Sequence, residues 1–331
     1  GTEKCPFEGG CPKLSAYDIT KGFAIILMVF GHSSIPKSIS NYIWSFHMPL
    51  FFIISGFLYN ASKYKSPLSL IKKRYYTLII PYIFFSIFAF VGMYPLGLVK
   101  WEELYKGWEG YALWFIPVLF TTEILFNYLL FIQSKFSNSK YYLLESIILI
   151  LSIVGFILSK LDSHYIFKLE VTFFAIFFYS IGFIFKRFLQ NIFYTKKIIF
   201  LSLLLQIIVA QFIPTIDMAS NQFGYFIPNI IIAIWGTINV ILMAKHIALW
   251  NNRNIIKYLF IWAGKNTLII MGLSQVINMI IKSILTTTHL PATTSSIIQH
   301  CLLWITIYIC SIIFNKYTPF LIGKKTHNFY N

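Results

Sequence analysis

Continuously apolar runs recur along the chain, separated by short polar and basic segments. Each is close to the roughly 20 residues that an α-helix needs to cross a hydrocarbon core about 30 Å thick. The runs do not alternate apolar with polar positions, as barrel strands would. Ten spans are predicted, near 18–36, 42–60, 74–94, 112–132, 142–160, 171–186, 197–214, 225–244, 258–281 and 295–315. No internal repeat, low-complexity linker or soluble domain interrupts them. The pattern predicts an all-α, polytopic transmembrane helical bundle over 18–315, with short cytoplasmic tails at 1–17 and 316–331.

Composition strengthens this picture. Of the 331 residues 57% are hydrophobic and only 11% charged, against about 25% charged in a soluble domain. The net charge of +16 would suggest nucleic acid in a soluble protein. Here no basic, aromatic-interleaved patch lies outside the apolar runs, so nucleic-acid binding is set aside. The basic residues sort by loop instead. With the N-terminus in the cytoplasm, twenty Lys and Arg fall in inner segments and six in outer loops, and Lys265 lies inside a span. That asymmetry predicts both termini in the cytoplasm and an even number of spans.

The outer segment "LVKWEELYKGWEGYALWF" mixes Trp101, Trp108 and Trp114 with Glu102, Glu103 and Glu109, a composition suited to the membrane interface. No cleavable signal peptide is evident. Cys301 and Cys310 read as small core residues. Cys5 and Cys11, in "CPFEGGC", read as an incidental tail, a disulfide or half of a metal site; two cysteines do not complete a zinc site.

The candidate chemistry begins in "KGFAIILMVFGHSS". Lys21 and His32 are eleven residues apart, which at about 100° and 1.5 Å per residue places them on one helix face roughly 16 Å apart along the axis. Asp18 precedes Lys21 at salt-bridging spacing. Lys21 reads either as a snorkelling anchor or as a functional cation, and His32 as a helix-end residue or a chemical one. His47 opens the second span in "WSFHMPLFFIISGFLYN". The short intervening loop makes the two spans antiparallel neighbours, so His32 and His47 are expected at similar depth, as an acid–base pair or a polar contact. No third ligand presents itself for a metal. Glu123, with Asn127 one turn later, is a costly membrane carboxylate expected to face the bundle interior, in a functional or a structural polar network.

These segments resemble the integral-membrane type-3 acyltransferases. The family's signature is Arg or Lys, ten residues, then His, as in "YDITKGFAIILMVFGHSS", followed here by "FHMPLFFIISGFLY". Weaker likeness lies in "KKRYYTLIIPY", "ALWFIPVLFTTE" and "GKNTLIIM". Many members continue the last motif into a His where this chain has Gln275, so any role for that His is absent. The resemblance covers nearly the whole chain and implies a stand-alone, multi-pass enzyme of the bacterial inner membrane. It would move an acyl group, usually acetyl, from cytoplasmic acyl-CoA to a hydroxyl of a surface glycan that can be lipid-linked.

On that reading acetyl-CoA is the donor substrate and no cofactor is bound. His32 is the base or a transiently acylated nucleophile, with His47 orienting substrate or sharing the proton. Lys21, Lys72, Lys73, Arg74 and Lys265 are candidate contacts to the coenzyme A phosphates, the 72–74 cluster serving equally as a topology anchor. Trp114 either stacks on a sugar or sits at the interface. Ser55 and Gly56 suggest close helix packing, and Gly264–Thr267 a broken or capped helix. A polysaccharide exporter and a proton-coupled transporter are the alternatives, although no repeat symmetry supports the latter.

Overall fold

The computed structural model describes residues 12–33, 35–64, 66–101, 111–135, 143–286 and 291–324. The expectations for Cys5 and Cys11, and for Trp108, Glu102, Glu103 and Glu109 of the outer segment, lie outside the described residues, as do Lys4, Lys65, Lys106, Lys140 and Lys325. Among the described residues the regular structure is helical, apart from one isolated antiparallel bridge between Asp217 and Gln222.

In chain order the α-helices are α1 (Pro12–Gly31), α2 (Lys37–Trp44), α3 (His47–Leu58), α4 (Pro67–Arg74), α5 (Ile80–Met93), α6 (Phe115–Lys135), α7 (Leu143–Lys160), α8 (Leu169–Ile184), α9 (Lys186–Asn191), α10 (Lys196–Val209), α11 (Phe226–Ala248), α12 (Ile255–Lys265), α13 (Thr267–Leu285) and α14 (Ala292–Tyr317). Eight helical stretches among the described residues are long and apolar enough to cross a membrane. The protein is therefore a multi-pass helical membrane protein. The expected spans 18–36 and 197–214 are not among them. α10 ends at Val209 after 14 residues, which gives only about 21 Å. The expected span 18–36 overran its helix, because α1 closes at Gly31 and α2 begins after Pro36.

The chain divides into two compact units. The first holds residues 1–59, 146–163 and 173–267. Within it α1 packs on α12, α11, α3 and α2, and α10 packs on α11. Ala16, Ile19, Ala244, Ile247 and Ala248 form a buried cluster, with Phe23 stacked on Phe260 at 4.0 Å. The α1–α12 contact is a backbone approach. A Cβ at Gly22 would strike the Phe260 carbonyl, and one at Gly264 would strike that of Asp18. Gly56 and Gly182 seat α3 and α8 in the same way, against the backbones of Tyr179 and Ile53. Helix backbones this close need residues without side chains.

Two lysines complete helix ends. Lys257 Nζ donates to the carbonyls of Ala248 (2.7 Å) and Trp250 (2.9 Å) and to Asn252 Oδ1 (2.8 Å). Lys245 Nζ donates to the carbonyls of Leu189, Gln190 and Ile192 at 2.7–3.0 Å. The last carbonyls of a helix have no partner within it, and a cation is favoured there.

The second unit holds residues 60–145, 164–172 and 268–331. There α4 and α5 are joined by a π-helical turn, Tyr75–Ile79. Pro81 follows at once and has no N–H to continue an α-helical ladder, which accounts for the wider turn. The α13 face carrying Gly272 and Val276 packs on Phe85, Ala89 and Met93 of α5. The helix break expected at Gly264–Thr267 is observed: α12 ends at Lys265, Asn266 leaves helical geometry (φ −117°, ψ 23°), and α13 starts at Thr267.

Candidate active site

The first unit brings Asp18, Lys21, His32, His47 and Lys265 onto one framework. Lys21 Nζ lies 2.7 Å from Asp18 Oδ1, the i,i+3 pair expected from spacing, and both side chains are about one-quarter exposed. Because Gly264 abuts the Asp18 backbone, the end of α12 lies alongside this turn, and exposed Lys265 follows immediately. Two cations thus belong to neighbouring turns at one level of α1.

His32 lies at the other end of α1, one residue past its last turn, exposed, its backbone N–H still bonded to the Met28 carbonyl. His47 is buried at the first turn of α3. Between them stands Trp44, the last residue of α2. Its ring meets His32 edge-on at 5.3 Å and His47 edge-on at 5.3 Å. The two imidazoles expected at similar depth therefore flank a single indole.

Hydrogen bonds fix this arrangement. His47 Nδ1 is 3.0 Å from the Ile43 carbonyl oxygen. A carbonyl only accepts, so Nδ1 carries the proton and the neutral ring presents the lone pair of Nε2. Trp44 Nε1 donates to the Gly31 carbonyl at 3.0 Å, tying the indole to the end of α1. The Trp44 carbonyl accepts from Ile216 N–H at 3.1 Å. That bond brings in the segment 211–225, with Ile216, Met218 and Phe223 fully buried and Asp217 in reciprocal backbone bonds with Gln222 at 2.8 and 2.7 Å. The Asp217 charge reaches the His32 ring. Neither Trp44 nor Asp217 was singled out from the sequence. Trp44 carried a signal, since it stands three residues before His47; Asp217 carried none, since its 185 residues of separation from His32 close only in the fold.

The remaining candidates belong to the second unit. Glu123 is buried on α6, with Asn127 buried one turn later. Its partner is Arg74, whose Nη2 donates to Glu123 Oε1 at 2.9 Å and whose Nε pairs with Oε2. The pair engages the arginine expected to meet a phosphate. Lys73 stacks over the Tyr64 ring at 5.3 Å, while Lys72 is exposed. Trp114 is buried at 4% exposure, edge-on to Phe115.

The arrangement offers an oriented imidazole pair at one end of α1 and cations at the other. Such a pair can take a proton from a hydroxyl and return it to a leaving group. A family model described as an acyltransferase domain matches residues 14–315. No curated protein and no solved structure matches the chain.

Proposed function

The chain belongs to the type-3 membrane acyltransferase family, and from that premise we propose that it transfers an acyl group, most simply acetyl, from cytoplasmic acyl-CoA to a hydroxyl of a cell-surface glycan, working in the bacterial inner membrane. The observation that carries the reading is the imidazole pair around Trp44, with His47 locked through Nδ1 to Ile43. An alcohol is a weak nucleophile near neutral pH and needs a base within hydrogen-bond reach. Exposed His32 takes the hydroxyl proton as the oxygen attacks the thioester carbonyl. The carbon–sulfur bond then breaks, and the imidazolium returns the proton to the departing coenzyme A thiolate. Buried His47 steadies this pair and its charge.

The donor's charged end cannot enter the hydrocarbon. Lys21 and Lys265 meet its phosphates, and its thin pantetheine arm runs the roughly 16 Å of helix rise to His32. The α1 stretch between them carries Ile25 and Met28, apolar and buried, with no competing nucleophile.

The test has two arms. Purified protein in lipid nanodiscs is incubated with acetyl-CoA, and free coenzyme A is measured by chromatography with and without a glycan extract. Glycans of a strain lacking the gene are compared with those of its parent by mass spectrometry. Acceptor-dependent coenzyme A release, and loss of one acetyl mass from one glycan, are expected. No release under either condition refutes the activity, and an unchanged glycan profile refutes the acceptor class.

A further inference from the structure

An open cleft of about 300 Å³ is lined by Asn41, Gln211, Phe212, Ile213, Thr215 and Tyr225 among others. Asn41 and Trp44 are three residues apart on α2 and share a helix face. Thr215 precedes Ile216, whose N–H holds the Trp44 carbonyl. The cleft and the imidazoles are thus joined through one residue, Trp44. We infer that this cleft, with Trp44 beside it, is the acceptor subsite, and that it takes a neutral pyranoside ring whose reacting hydroxyl is delivered to His32. This deepens the acyltransferase reading and rests on it.

Three observations select that occupant. First, the lining is uncharged and mixed: two carboxamides, a hydroxyl and a phenol stand beside Phe212, Ile213 and Pro214, with no Lys, Arg, Asp or Glu. A phosphate or carboxylate ligand would call for a cation there, whereas the Asn41 carboxamide and the Thr215 and Tyr225 hydroxyls match the alternating donors and acceptors of a polyol. Second, the site is held open before any ligand arrives. Gln211 Nε2 donates to the carbonyls of Ser38 (3.1 Å) and Ile207 (2.8 Å), and its Oε1 accepts from Asn41 Nδ2 at 3.3 Å. Asn229 clamps the other side, donating to the Pro214 carbonyl at 2.5 Å and accepting from Tyr225 N–H at 2.7 Å. A prebuilt site orders fewer groups on binding. Third, the Trp44 indole is only half-buried, although its nitrogen, its carbonyl and both neighbouring rings fix its position. A rigid indole offers apolar area to the C–H face of a sugar at little cost in conformational entropy.

The test uses the full-length protein in nanodiscs with acetyl-CoA and a panel of methyl hexopyranosides as probe acceptors, following coenzyme A release. At least one pyranoside is expected to accelerate release. Trp44→Leu should raise the KM for that pyranoside tenfold or more while the KM for acetyl-CoA stays within about twofold, and Trp44→Phe should recover most of the loss. Asn41→Ala, on a different contact, should raise the pyranoside KM several-fold with the same selectivity. Equal changes in both KM values, or none in the pyranoside KM, overturn the subsite. Wild-type turnover that no pyranoside accelerates also overturns it while leaving acyl transfer standing. Absence of any acetyl-CoA turnover would instead defeat the acyltransferase reading itself.

Discussion

At the scale of single residues, two kinds of charged group have opposite fates. The Lys21–His32 relation could be read from helix geometry alone, because both residues ride one helix and its period fixes their face. The Arg74–Glu123 pair could not, because its members sit on α4 and α6 and meet only when those helices pack. The difference yields two predictions. His32→Ala should lower acyl transfer by a hundredfold or more, the scale of a lost acid–base group, while acetyl-CoA affinity by equilibrium dialysis stays within a few-fold. Glu123→Leu should destabilise the protein by about 3–5 kcal/mol, because it removes the buried carboxylate that pairs with the partly buried Arg74 guanidinium. The double change Arg74→Met with Glu123→Leu should recover most of that loss in a thermal-shift measurement. Failure of the double variant to recover would mean that Arg74 serves something other than Glu123.

At the scale of elements, apolar length announced the helices but not their interruptions. The stretch 197–214 is apolar enough to read as a span, yet α10 stops at Val209, and the chain then turns into the segment that lines the cleft with Asn41. The break at Asn266 was legible, since Gly264, Lys265, Asn266 and Thr267 together resist a continuous helix. The π-helical turn at Tyr75–Ile79 left a fainter trace, in Pro81 alone. How helices meet was legible only in part. Gly56 was read as a packing position, but Gly22 and Gly264 reveal their purpose only against their partner backbones. Gly22→Ala and Gly264→Ala each put a methyl group into a facing carbonyl and should force α1 from α12. Each should lower stability by roughly 1–3 kcal/mol, the usual cost of overpacking, read as a lower melting temperature. Gly97→Ala meets no neighbour; it pays instead for a positive φ (67°).

At the scale of the whole molecule, helical membrane architecture was readable because it rests on composition summed over hundreds of positions. The lysine and arginine asymmetry between loops predicts the inner and outer sides, and accessibility labelling checks that expectation. Cysteines placed at Lys63 and Lys168 should react with an impermeant maleimide from opposite faces of sealed vesicles; labelling from the same face would reverse part of the topology. Counting charges treats every lysine alike, and the fold does not. Lys245 and Lys257 each spend all three ammonium hydrogens on oxygen acceptors at the ends of neighbouring helices. Such an ammonium must break one of these bonds and lose a proton before it can offer a lone pair to an electrophile. In a native-state footprint with an amine-reactive ester, both should stay unmodified while exposed Lys72 and Lys265 are modified. With acyl-CoA as the proposed donor, these two lysines are also the ones that stray acylation would reach last.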